Sequence, residues 1–366
     1  MSATAVNERL AALTAAGTSI WLDSLSRGLV ETGELARMVE QDSLQGVTSN
    51  PAIFEKSLGE ADYDDDVQRL VGEGKSSAET YRALALQDVQ AACDVLRPVF
   101  DRTNGFDGYV SWEVDPDLAH DTEGTIAQAN EYWKAVDRPN LMIKIPATEA
   151  GIPAIEQAIY DGLNVNVTLL FAVESYEAVM EAYIKGLERR QAEGLPLDRH
   201  SVASFFVSRV DSEVDKRLEA AGNTELQGKA GLANARAAYA AYQRVFEGER
   251  FAALKAAGAS VQRPLWASTG VKNPAYPSTL YVWGLVAPNT VNTMPMATLE
   301  AARAEGGVEG ATGAEDPSSD LKALADAGID LKDVTDKLLR DGIDAFVTPM
   351  EKLLDRIEAK RAEVAA

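Results

Sequence analysis

Short runs rich in β-branched and aromatic residues alternate with longer stretches of helical periodicity along the whole chain. The runs are Ser19–Asp23, Gly46–Asn50, Gly108–Val114, Leu141–Ile145, Asn164–Leu170, Ser201–Val207, Pro264–Ser268 and Thr290–Met294. Between them lie segments with apolar residues three and four apart, among them Ile126–Val136, Ile152–Tyr160 and Val173–Arg189, and a helix over Val6–Ala16 precedes the first run. Eight strands alternating with helices predict a (β/α)8, or TIM, barrel. The competing open, doubly wound sheet is disfavoured because no G-x-G-x-x-G follows the first strand. Asn50 to Gly108 and Arg209 to Pro264 are too long for plain connections and are predicted to carry inserted helices, Ala230–Phe246 being one. After the eighth strand, Gly306–Ser319 reads as a loop, and a helical tail occupies about 320–366 (Leu321–Ala327 and Leu331–Ala365). Leu338, Leu339, Ile343 and Phe346 give that tail an apolar stripe. It is expected to pack on the barrel, so that residues 1–366 form one domain.

Composition narrows the partners. Among 366 residues, 35 Lys and Arg face 57 Asp and Glu, a formal net charge of −22. Such a surface repels nucleic acid and anionic membranes, and the basic anchors of any anionic substrate must be local exceptions. No apolar run approaches the roughly 18 residues that span a bilayer. The N-terminus lacks the basic-then-apolar order of a secretory signal. The single cysteine, Cys93, cannot form an intrachain disulfide, which fits a cytoplasmic location, and its setting in QAACDVL reads as a helix core position. The only histidines, His120 and His200, have no metal-ligand spacing and read as surface or turn residues. His/Cys metal chemistry is therefore not expected, and Ser-His-Asp catalysis is a poor fit. The run Asp64–Asp66 reads as a helix start, where the helix dipole favours carboxylates. Monomer and homodimer fit the sequence equally.

Alternation within the strands locates candidate chemistry. Strand side chains point to opposite faces in turn. Leu141, Ile143 and Ile145 share one parity and Met142, Lys144 and Pro146 the other. Val110, Trp112 and Val114 oppose Tyr109, Ser111 and Glu113. Val165, Val167 and Leu169 oppose Asn164, Asn166 and Thr168, and Ile20 and Leu22 oppose Ser19, Trp21 and Asp23. The apolar parities suit the helix-covered outside of a barrel and the polar parities its interior. Asp23, Asn50, Glu113, Lys144, Asn166, Thr168, Ser204 and Ser268 then converge near the C-terminal mouth, where barrel active sites lie. Burying such a set without a function would be costly, although a satisfied polar network is the competing account.

Lys144 is the sharpest feature. It sits inside LMIKIP, where a strongly hydrated ammonium is out of place. Burial disfavours the charged form of a lysine, and a neutral amine attacks carbonyls to form a Schiff base. The alternative is a structural ion pair of Lys144 with Glu113 or Asp23.

WLDSLSRG around Asp23, GVTSNPAIF, VSWEVDP around Glu113, MIKIPAT around Lys144 and NVNVTLLF around Thr168, in this order, resemble transaldolase. The tail DAFVTPMEKLLDRIEAKR resembles the C-terminal helix of the longer bacterial transaldolases. The resemblance implies transfer of a dihydroxyacetone unit from sedoheptulose 7-phosphate to glyceraldehyde 3-phosphate, giving erythrose 4-phosphate and fructose 6-phosphate in the pentose phosphate pathway. No cofactor is implied. It implies Lys144 as the Schiff-base residue and Asp23 as the acid/base at the C4 hydroxyl. Glu113 would work through a water held partly by Thr168, and Asn50 and Asn166 would hold substrate hydroxyls. Ser204 and Arg209 match the family's phosphate site. The second arginine usual after the serine on the seventh strand is absent, and Lys272, beyond Ser268 in WASTGVKNP, is its expected substitute. A fructose 6-phosphate lyase sharing the lysine, and a non-catalytic sugar-phosphate-binding barrel, are the alternatives.

Overall fold

Eight parallel strands pair in chain order and close into a barrel. They are β1 (Thr18–Asp23), β2 (Leu44–Thr48), β3 (Tyr109–Glu113), β4 (Leu141–Pro146), β5 (Val165–Leu170), β6 (Ser201–Phe206), β7 (Gln262–Ala267) and β8 (Thr290–Met294). The computed structural model describes residues 6–59 and 61–365. Among the described residues, 16 α-helices accompany the strands, so the predicted barrel architecture is the one observed. The long connections carry helices as expected: Pro51–Ser57, Asp64–Gly72 and Ser77–Arg102 after β2, and Ser208–Ala220, Ala230–Phe246 and Glu249–Ala256 after β6. Asp64, Asp65 and Asp66 occupy the first turn of their helix. Cys93 is buried in its helix.

Three sequence expectations need correction. The second strand runs over Leu44–Thr48, two residues earlier than the expected Gly46–Asn50, and stops short of Asn50 because Asn50 caps the next helix: its side chain accepts from the Ile53 amide and Pro51 takes the first helical position. The seventh strand starts at Gln262, earlier than expected, because two polar residues open it. Both find buried partners: Gln262 donates to Ser201 on the helix-covered side, and Arg263 pairs with Asp107 inside the barrel at 3.1 Å. Third, Leu169 does not continue the outward parity of Val165 and Val167. The β5–β6 register shifts between Val167 and Leu170, and Leu169 takes a positive φ of 58°. This bulge turns Leu169 from the helix layer toward the apolar cluster of Phe171, Phe206 and Phe346.

Elsewhere the alternation holds. Ile20, Leu22, Val110, Trp112, Ile143, Ile145, Val165 and Val167 pack outward into the core shared with the surrounding helices. Each such side chain contributes about 1.5–3 kcal/mol by leaving water. Inside, Trp21, Tyr109, Met142, Val202, Leu265 and Val291 fill the lower barrel. Trp21 fits because Gly46 stands beside it: a Cβ at Gly46 would lie 2.4 Å from the indole ring. At the N-terminal end, Asp107 accepts from Ser19 at 2.6 Å, from Trp21 Nε1 at 2.9 Å and from Arg263, forming a buried ion pair at the barrel floor. His200, expected at the surface or in a turn, sits in the irregular segment before β6, half-buried, with its ring 5.8 Å from Tyr109. Burial lowers its pKa to about 4, so it is neutral there. His120 is exposed.

The region after β8 carries a 3-10 turn at Thr312–Ala314, a helix at Ser318–Asp326 and a final helix at Leu331–Ala365. The final helix runs across the C-terminal mouth. Its first half pairs with the helix Ser208–Ala220 through Arg217–Asp333 at 2.8 Å and Lys337–Glu213 at 3.5 Å. Its second half buries Met350, Leu353 and Ile357 in the main core, and Arg356 pairs with Glu55 at 2.7 Å on the opposite side of the barrel. Gly342 permits close approach between these anchors, since a Cβ there would lie 3.0 Å from Leu169.

Candidate active site

Parallel register sets the chemistry side by side. Glu113 on β3 pairs with Lys144 on β4, Lys144 pairs with Asn166 on β5, and Asp23 on β1 pairs with Thr48 on β2. All are inward-facing residues at the C-terminal ends of their strands. They open into a cavity of about 170 Å³ lined by Asp23, Asn50, Lys144, Thr168, Ser204, Arg209, Ser268 and Lys272, together with Thr48, Phe206, Thr293 and Phe346. Of the ten residues singled out from the sequence, eight line this cavity. Glu113 stands behind Lys144, and Asn166 is held within the wall.

Lys144 is only 4% exposed. Its Nζ donates to the Ser49 carbonyl at 3.0 Å and stands 3.2 Å from Glu113 Oε2. The Phe346 ring lies over it at 5.5 Å, within cation–π range. Glu113 Oε2 is buried without a well-aligned hydrogen bond, and so is Thr168 Oγ1. Thr168 Oγ1 has no partner and Glu113 Oε2 has only the Lys144 ammonium, exceptions of the kind that an ordered water satisfies. Burial pushes the Glu113 carboxyl up to about 7, against the opposing pull of the Lys144 ammonium.

Asp23 accepts from Thr48 Oγ1 at 2.8 Å, and Thr48 in turn meets Thr293 at 2.7 Å. Burial raises the Asp23 pKa above its ordinary value, opposed by Lys144, the Thr48 hydrogen bond, Arg209 and Lys272. Three cations thus act on one carboxylate across the cavity. Among them, Arg209 is the first-turn residue of the helix Ser208–Ala220 and Lys272 is exposed in the loop after β7. Burial lowers the Arg209 pKa, while Asp23 and Asp341 act in the other direction. These cations are the local exceptions that an acidic chain needs if it is to hold an anion.

Asn166 and Ser204 form a wall network. Asn166 donates to Ser111 at 2.9 Å and accepts from Ser204 at 2.7 Å. Ser204, expected at the phosphate end with Arg209, therefore has its proton committed to Asn166. Ser208, next to Arg209, meets Ser268 at 2.9 Å, and Ser268 is held with a φ of 54° where β7 ends. Asn50 spends its oxygen on the helix cap and leaves its amide nitrogen for the cavity it lines.

Sequence reasoning missed Thr48 and Thr293, although both have the inward parity of Asp23 on neighbouring strands. It placed Phe346 only on an apolar stripe, because a stripe does not say which neighbour it covers. Among the described residues, no group of three or more His, Cys, Asp or Glu is placed to hold a metal ion, and no helix is long and apolar enough to cross a membrane.

Comparisons with known proteins identify the family. A family model described as transaldolase/fructose-6-phosphate aldolase matches residues 20–357. A transaldolase of Mycolicibacterium smegmatis is 53% identical over 364 residues, covering 97% of this chain and 98% of the relative. A transaldolase of Mycobacterium marinum is 53% identical over 363 residues, covering 97% of each chain. A transaldolase of Mycobacterium tuberculosis is 52% identical over 366 residues, covering 97% and 98%.

Proposed function

The chain belongs to the transaldolase/fructose-6-phosphate aldolase family and is an enzyme of the transaldolase class, and from that premise we propose that it moves a dihydroxyacetone unit between sugar phosphates through a Schiff base on Lys144. The donor is sedoheptulose 7-phosphate and the acceptor glyceraldehyde 3-phosphate. The observation that carries this reading is a buried lysine amine at a barrel mouth, between two carboxyls whose pKa values burial has raised.

In this reading the Lys144 amine attacks the ketose carbonyl at C2. Glu113, half protonated near neutrality, gives a proton through a water held by Thr168 to the departing hydroxyl, leaving a protonated imine. Asp23 then takes the proton of the C4 hydroxyl, and the C3–C4 bond breaks. Its electrons flow into the imine and leave an enamine with a nucleophilic C3. The aldose leaves, an acceptor aldehyde enters, and the same steps run backward. The amide nitrogen of Asn50 holds a sugar hydroxyl, and Asn166, fixed between Ser111 and Ser204, supports the wall beside it. Arg209, Ser268 and Lys272 take the phosphate. Arg209 can offer two parallel hydrogen bonds, Lys272 a point charge.

The test is a transfer assay with fructose 6-phosphate and erythrose 4-phosphate, reading sedoheptulose 7-phosphate and free dihydroxyacetone separately. The proposal expects heptulose formation with little free dihydroxyacetone. Free dihydroxyacetone at the same rate with and without the acceptor would instead make the protein a lyase. No turnover of either kind would leave a binding protein.

A further inference from the structure

A transferase of this kind faces a problem that a lyase does not. After the aldose leaves, the enamine on Lys144 must wait for an acceptor. If C3 takes a proton from solvent, the enamine becomes the protonated imine of dihydroxyacetone. Water then adds to C2 and the lysine amine leaves. Free dihydroxyacetone is released, one water is consumed and the transfer is lost. Whatever limits water and stray protons above Lys144 therefore decides whether the protein transfers or merely splits.

Resting on the transferase reading above, we infer that Phe346, delivered by the C-terminal helix, favours transfer over release by closing the water path to the Lys144 intermediate from the helix side. Four observations converge on it. Its ring lies 5.5 Å from Lys144 Nζ. It lines the main cavity beside Lys144 and Thr168, and it also lines a second, smaller cavity with Glu113, Leu169 and Ile343. It thus lies between the substrate space and the small cavity on the far side of its ring. It is only 5% exposed although it belongs to a helix added outside the barrel. Finally, the surroundings are shaped to receive it: the β5 bulge turns Leu169 toward the helix, and Gly342, one turn before Phe346, lets the helix come down onto Leu169. A tail that served only to cover apolar surface would not need a bulged strand and a glycine at the point where it passes the lysine.

The experiment compares wild type, Phe346→Ala, Phe346→Leu and Gly342→Ala in the full chain. It reads the ratio of dihydroxyacetone released to dihydroxyacetone transferred, at saturating fructose 6-phosphate and a series of erythrose 4-phosphate concentrations. Phe346→Ala should raise that ratio about tenfold or more. Phe346→Leu, which refills the space with an apolar side chain, should restore most of the wild-type ratio. Gly342→Ala keeps the ring but pushes the helix against Leu169, so its ratio should rise as well. It also serves as the independent variant if Phe346→Ala does not fold. A variant ratio equal to wild type, with transfer and release falling together, would overturn the inference and leave Phe346 a packing residue. Wild type that already releases as much as it transfers would overturn the transferase reading itself, which is a distinguishable result.

Discussion

Lys144, Glu113 and Asp23 illustrate how far single residues can be read. A lysine in a strand of otherwise apolar residues could be a nucleophile or half of an ion pair, and the structure has features of both: an ion pair with Glu113 at 3.2 Å and an open cavity in front. The sequence pattern exposed the three residues because a charge at an inward strand position conflicts with burial, and such conflicts are rare in ordinary cores. What it could not expose was the environment that tunes them. The Glu113 carboxyl rises from its ordinary 4.5 to about 7 because the barrel and the final helix bury it together, and no local sequence carries that information. A carboxyl with this value donates a proton in its neutral form and loses that form as pH rises through about 7. Imine formation, followed as the rate of borohydride trapping with fructose 6-phosphate, should therefore slow on the alkaline side of about pH 7. In Glu113→Gln the inflection should vanish and the rate should drop by about 10²–10⁴-fold. An unchanged inflection in that variant would assign the titration to another group.

At the level of elements, strand positions were legible and strand ends were not. Thr290–Met294 coincides with the observed β8, because alternation and a clear turn on each side define it. Asn50 was placed on a strand because TSN reads as extended, whereas Asn before Pro is also a helix-cap signature, and the cap prevailed. The polar start of β7 was hidden because Gln262 and Arg263 look like loop residues until Ser201 and Asp107 are brought to them. The β5 bulge had no sequence signal, since Leu169 tolerates either face chemically. Gly46 is an element-scale constraint that the structure makes specific. Gly46→Ala would set a Cβ 2.4 Å from the Trp21 ring in a filled interior, and overpacking of this kind typically costs about 1–3 kcal/mol. Denaturant titration should show a lower midpoint at an unchanged slope. A midpoint equal to wild type would mean that the indole has room to move.

For the whole molecule, charge and covering matter most. A chain of net charge −22 gathers Lys144, Arg209 and Lys272 around one cavity, so the site is a basic pocket in an acidic body. Composition pointed to the need for such an exception, but only folding could bring together residues from β4, the helix after β6 and the loop after β7. The final helix closes over them, a placement its apolar stripe did not reveal. The side chains gathered there offer a lysine amine and no His or Cys ligand set. Activity should accordingly survive incubation with excess EDTA, measured in the same transfer assay. Loss of activity restored by zinc or magnesium would place a cation in the mechanism.

The central claim is the covalent bond between substrate and Lys144. Intact-mass spectrometry after borohydride reduction, with fructose 6-phosphate present, tests it most directly when followed by peptide mapping. The account predicts one sugar adduct per chain, carried by the peptide containing Leu141–Pro146 and localised to Lys144, and no adduct in Lys144→Arg, whose guanidinium stays protonated at working pH. Absence of an adduct in an active wild-type enzyme, or an adduct on another lysine that persists in Lys144→Arg together with activity, would contradict it.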